Sequence, residues 1–183
     1  MASMLFLSCS LRPEDVREVN TYFEYVFEFY GMKTQTINIP GISDEEVIKI
    51  LKETIPMVDG IVVLWVPRYY INGALPSIWT MLETAMGLAV DKPIYIFYEE
   101  GIALEGPLKS IGTMRVKFNR YSLSDDQEHA KLCNYIRAIK ADIDRKKNQD
   151  FLNGILKGLG ILFGIALTFG LGFLAGQGSK ERG

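Results

Sequence analysis

Six consecutive apolar residues, Ile61-Val-Val-Leu-Trp-Val66, follow the turn dipeptide Asp59-Gly60. A strand apolar at every position, rather than at every second one, needs cover on both faces. Such strands belong to parallel sheets held between layers of helix. The rest of the chain follows the same plan. Short apolar segments at residues 5–8, 93–98 and 114–118 read as further strands, and residues 33–39 alternate like one until Pro40-Gly41 breaks them. Between them lie helical patterns. Residues 14–30 place Val16, Val19, Phe23, Val26 and Phe27 on one stripe and stop at Gly31. Ser43 caps a second helix carrying Val47, Ile48, Ile50, Leu51 and Ile55, and Pro76-Ser77 opens a third. Ser124 caps a long helix over residues 125–147 whose basic end suits the helix dipole. One short helical turn is expected near Leu108. Alternating strands and helices predict an α/β fold with a doubly wound, parallel five-stranded sheet in the order 2-1-3-4-5.

The C-terminal segment is of a different composition. Residues 158–176 contain no charged side chain, in a chain that is 23% charged as a whole. About 20 apolar residues span the core of a bilayer. The expected organisation is an α/β domain over 1–122, a helix closing the domain and leading to the membrane over 123–149, a transmembrane helix over 150–178, and a short tail over 179–183. Membrane contact falls on residues 155–176. Arg145, Lys146, Lys147 and Lys157 precede the span, against Lys180 and Arg182 after it. That bias predicts a single-pass, tail-anchored protein with its N-terminal domain in the cytoplasm. Gly160, Gly164, Thr168, Gly172 and Gly176 recur every fourth residue, a spacing that lets two helices approach closely and predicts a homo-oligomer.

Charge and residue counts remove several function classes. A net charge of −2 gives no reason to expect nucleic acid, which usually wants a basic face. Cys9 and Cys133 stand far apart, without metal-ligand spacing or a disulfide framework, and read as free thiols in a reducing compartment. His129 is the only histidine and no G-x-S-x-G is present, which argues against a serine triad; zinc sites of the usual His/Cys types are not expected, and no metal site is assigned. No G-x-G-x-x-G or G-x-x-x-x-G-K-[ST] follows the first strand, so the phosphate cradles of redox dinucleotide enzymes and P-loop proteins are missing. The N-terminus lacks the basic opening and long apolar run of a signal peptide.

One carboxylate stands out. Trp79 and Glu83 are four apart on the third helix, so they share a face. In this sheet order the ligand crevice lies beyond the carboxyl ends of the strands. It would be lined by residues 8–12, 40–43 and 67–70 and by the start of the Glu83 helix. Glu83 is therefore the candidate catalytic residue, with Ser8, Cys9, Ser10, Arg12, Tyr69 and Trp79 as candidate substrate-binding residues. Arg12 and Arg68 suit phosphates; Trp65, Tyr69 and Trp79 suit a base or a nicotinamide ring.

The motifs Leu7-Ser-Cys-Ser10, Val58-Asp-Gly-Ile-Val-Val-Leu64, Pro67-Arg-Tyr69, Ser77-x-Trp79-x-x-x-Glu83 and Lys92-Pro-Ile-Tyr-Ile96, with Gly31 closing the first helix, resemble a TIR (Toll/interleukin receptor) domain over residues 4–120. The resemblance implies a flavodoxin-like sheet and assigns Glu83 to cleavage of the nicotinamide–ribose bond, with NAD as substrate and no bound cofactor. It also implies that Pro40-Gly41-Ile42-Ser43 reaches a neighbouring protomer, and suggests a defence effector. The chemistry needs few groups: nicotinamide leaves from a cationic state, and one carboxylate beneath the ribose stabilises the oxocarbenium-like transition state. Two other readings stand beside it, a non-catalytic TIR-like assembly module at the membrane and a nucleoside deoxyribosyltransferase-like enzyme.

Overall fold

The apolar run forms β3 (Gly60–Trp65), and every one of its residues is buried. The computed structural model describes residues 2–9, 14–37, 41–66, 78–104, 108 and 110–177, except for the side chains of 14–16, 78, 154 and 156–177. Within them β1 (Ser3–Ser8), α1 (Glu14–Phe29), β2 (Met32–Gln35) and α2 (Asp44–Thr54) precede β3. After it come α3 (Ile78–Ala89), β4 (Ile94–Glu99), β5 (Met114–Phe118) and α4 (Asp126–Gln177). The five strands form one parallel sheet in the order β2-β1-β3-β4-β5, the flavodoxin-like arrangement.

Burial along each strand follows its place in the sheet. The central strands β1, β3 and β4 are covered on both faces, whereas the edge strand β5 alternates, with Val116 and Phe118 buried and Arg115 and Lys117 exposed. One core joins α1 and the opening turns of α4 to one face: Val19, Phe23, Phe27, Leu132, Ile136 and Ile139 pack on Leu5, Leu7, Val62, Tyr95 and Phe97. The other lies under α2 and α3, where Leu51 and Ile55 meet Phe6, Ile61, Val63 and Ile96. Ser43 caps α2 in a reciprocal box with Glu46, as its position before three acidic residues suggests.

The strand expected over 33–39 is shorter. β2 pairs with β1 only from Ser3↔Met32 to Phe6↔Gln35, and Ile37 packs against the α2/α3 core instead of continuing the ladder. Leu108 is buried in a short helical turn. The expected helix start at Pro76-Ser77 lies outside the described residues, and α3 is described from Ile78.

The chain divides into two compact units, Met1–Ile143 and Asp144–Gly183. The first holds the sheet and its helices; in the second the described residues are helical. Among the described residues no helix is long and apolar enough to cross a membrane. The side chains of 158–176, on which the expected span rests, lie outside them.

Candidate active site

The inward stripe of α3 is polar and small: Thr80, Glu83, Thr84 and Gly87 are all buried. Gly87 explains how close the helix sits. A Cβ there would stand 2.0 Å from Ile61 Cδ1 on β3 and 3.1 Å from Ile94 Cδ1 on β4. Thr84 satisfies its own hydroxyl by donating to the Thr80 carbonyl at 2.6 Å, so it places no demand on the sheet. The close approach carries Glu83 to the carboxyl end of β1. There the Ser8 hydroxyl, wholly buried, donates to Glu83 Oε2.

This is the switch point of the sheet, between β1 and β3, where the chain reverses its direction of travel and where sheets of this kind place their ligand crevice. Glu83 is only 8% exposed. Burial penalises its ionised form and pushes its pKa up to about 7, and the Ser8 hydrogen bond only partly opposes that. Among the described residues no cation pairs with it.

Cys9 continues the site toward α1. Its thiol donates to Asn20 Oδ1 at 2.9 Å, and Asn20 Nδ2 donates to Glu24 Oε1 at 2.9 Å. Burial, then the charges of Glu83 and Glu24, raise the Cys9 pKa far above the usual thiol range. That environment favours the neutral thiol over the thiolate. It lies between two carboxylates, one buried on α3 and one half-buried on α1.

Of the residues singled out from the sequence, Ser8 and Glu83 are brought into contact and Cys9 adjoins them electrostatically. Trp79 is half-buried on α3. Ser10, Arg12, Arg68, Tyr69 and Pro40 lie outside the described residues. Ser43, part of the segment expected to reach a neighbour, is engaged in capping α2. His129 contacts the Tyr22 hydroxyl and the Cys133 sulfur instead of Glu83. Asn20 and Glu24 were not anticipated. A signal for Asn20 was available, since it is a polar residue on the Val19–Phe23 stripe and is 5% exposed.

No family model matches the chain, and no curated protein matches it. Among solved structures it is similar to the CMP N-glycosidase BcmB of Clostridium botulinum, at 16% identity over 76% of this chain and 99% of that one, with a TM-score of 0.51. It is likewise similar to a 2-deoxyribosyltransferase of Bacillus psychrosaccharolyticus, at 14% identity over 67% of this chain and 91% of that one, with a TM-score of 0.51. At these identities the likeness shows a shared fold. The TIR resemblance is not matched by a family model and rests on its motifs alone.

Proposed function

We propose that the protein cleaves the N-glycosidic bond of a nucleoside or nucleotide, with Glu83 acting at the anomeric carbon. The observation that carries this reading is a buried carboxylate fixed by a serine hydroxyl at the switch point of the sheet. As the base departs it takes the electron pair of the C1′–N bond, and positive charge develops on the ribosyl ring. A desolvated carboxylate held in place beforehand stabilises that charge far more than one in water. Ser8 occupies Oε2, and Oε1 is the oxygen assigned in this reading to the sugar. The acceptor is water in hydrolysis or a second base in transfer.

The structural neighbours support this bond class: one is named for N-glycoside cleavage of CMP, the other for transfer of 2-deoxyribose. They favour the nucleoside reading over the NAD reading. The Ser77-x-Trp79-x-x-x-Glu83 motif keeps the nicotinamide–ribose bond in the panel to be tested. We also propose that residues 158–176 anchor the protein in a membrane and bring copies together; deleting 155–183 should then release it from the membrane fraction.

The test incubates the full-length protein with CMP, 2′-deoxynucleosides and NAD and measures released base or nicotinamide. The wild type should release base from at least one of them. Glu83→Gln should turn over about a thousandfold more slowly without loss of fold. Wild-type turnover by the variant, or no release from any substrate, would overturn the reading.

A further inference from the structure

A cavity of about 490 Å³ opens between α1, α4 and the turn after β5, against the opposite core from α3. Its volume suits a small organic molecule. Two aromatic side chains on its lining face water, Tyr25 at 66% and Tyr121 at 86% exposed. The Arg120 guanidinium lies over the Tyr121 ring, 5.9 Å from its centroid, and exposed rings of this size adjoining a cavity offer apolar area and π-faces to a ligand.

The polar groups of the lining select among ligands. Its one guanidinium, on Arg120, is already committed: Nε and Nη2 both donate to the Glu99 carboxylate, and Arg120 is itself buried. The Tyr22 hydroxyl is likewise engaged, 2.8 Å from His129 Nδ1. Burial, followed by Cys133 and Glu128, pushes the Tyr22 pKa up to about 12, so the phenol keeps its proton. Glu18 and Asp126 remain. Both are exposed on the lining, and among the described residues neither forms an ion pair. The cavity therefore offers aromatic faces and negative charge, with its cationic donor already neutralised.

We infer that this groove binds a small organic cation, an ammonium group carried on an apolar or aromatic body. The body lies against Tyr25, Tyr121 and Val19, and the ammonium meets Glu18 and Asp126. An anion is refused because the carboxylates repel it. A neutral molecule of the same shape keeps the apolar contact and loses the charge pairing. The groove is thus distinct from the Glu83 site, and its ligand differs in charge from a nucleotide.

The test titrates the full-length protein with three matched probes: phenethylammonium, 2-phenylethanol and 3-phenylpropanoate. Binding is followed by backbone amide shifts and calorimetry. The ammonium should bind about tenfold or more tightly than the alcohol, the carboxylate should not bind, and shifts should cluster at residues 18–25 and 120–129. The double variant Glu18→Gln/Asp126→Asn, two exposed changes that leave the core untouched, should weaken the ammonium about tenfold. Tyr121→Ala should weaken both the ammonium and the alcohol. Equal affinity for the alcohol, binding of the carboxylate, no saturable binding of the ammonium, or indifference to the double variant would each overturn the inference.

Discussion

Glu83 and Glu99 are buried almost equally, 8% and 7% exposed, and both stand toward the carboxyl end of the sheet. Their partners differ. Glu99 ends β4 in a two-pronged contact with the Arg120 guanidinium, so its charge is matched where it is buried. Glu83 receives a neutral hydroxyl, and burial drives its pKa up to about 7. The same side chain at the same depth is a charge-matched tie in one place and an uncompensated carboxyl in the other. The partner decides which, because a buried charge is tolerable only when it is compensated.

The largest effect should come from breaking the tie. Arg120→Leu strands the Glu99 carboxylate and should cost about 3–5 kcal/mol in urea unfolding. Adding Glu99→Leu should recover much of that loss. A cost near zero for the single change would mean that Glu99 is not held as described.

The next effect is a pH dependence carried by Glu83. Glu83 has a folded pKa of about 7 against 4.5 when unfolded, so the folded state holds the extra proton between those values. Stability is full below about pH 4.5 and falls as pH rises through 7, by about 3 kcal/mol in all. Glu83→Gln should lack this loss and be the more stable protein at pH 8. The two should converge below pH 5, and parallel stability curves would remove the distinction between the glutamates. If Glu83 acts as an anion, kcat/KM for base release should rise over the same interval.

Gly87→Ala should cost about 1–3 kcal/mol, because Ile61 must move from a Cβ placed 2.0 Å away. By lifting α3 it should also lower turnover. Unchanged melting and activity would show that the helix has slack at this point. Ser8→Ala should be the mildest, about 1 kcal/mol. Since the Ser8 hydrogen bond lowers the Glu83 pKa, its removal should raise the midpoint above that of the wild type.

Much of the framework was legible because it is written in local periodicity. The apolar run of β3 implied cover on both faces, and the alternation of strand and helix implied the strand order. The length of β2 was not legible, since it depends on how far pairing with β1 extends. Glu83 was marked by its position on a helix after a buried strand, but its partner lies 75 residues away. Arg120 similarly meets Glu99 across 21 residues. Nor does the sequence reveal that Gly87 sits against Ile61, which requires the packed helix. The TIR motifs are short, and their described parts fall on β1, β3, α3 and β4, elements that this fold supplies generally. They therefore do not name the substrate.

The most direct measurement is a carbon-13 NMR titration of the glutamate side-chain carboxyls in the full-length protein, with Glu83 assigned by loss of its signal in Glu83→Gln. The account predicts a midpoint for Glu83 near 7, moving higher in Ser8→Ala. A midpoint near 4.5, unmoved by Ser8→Ala, would contradict it.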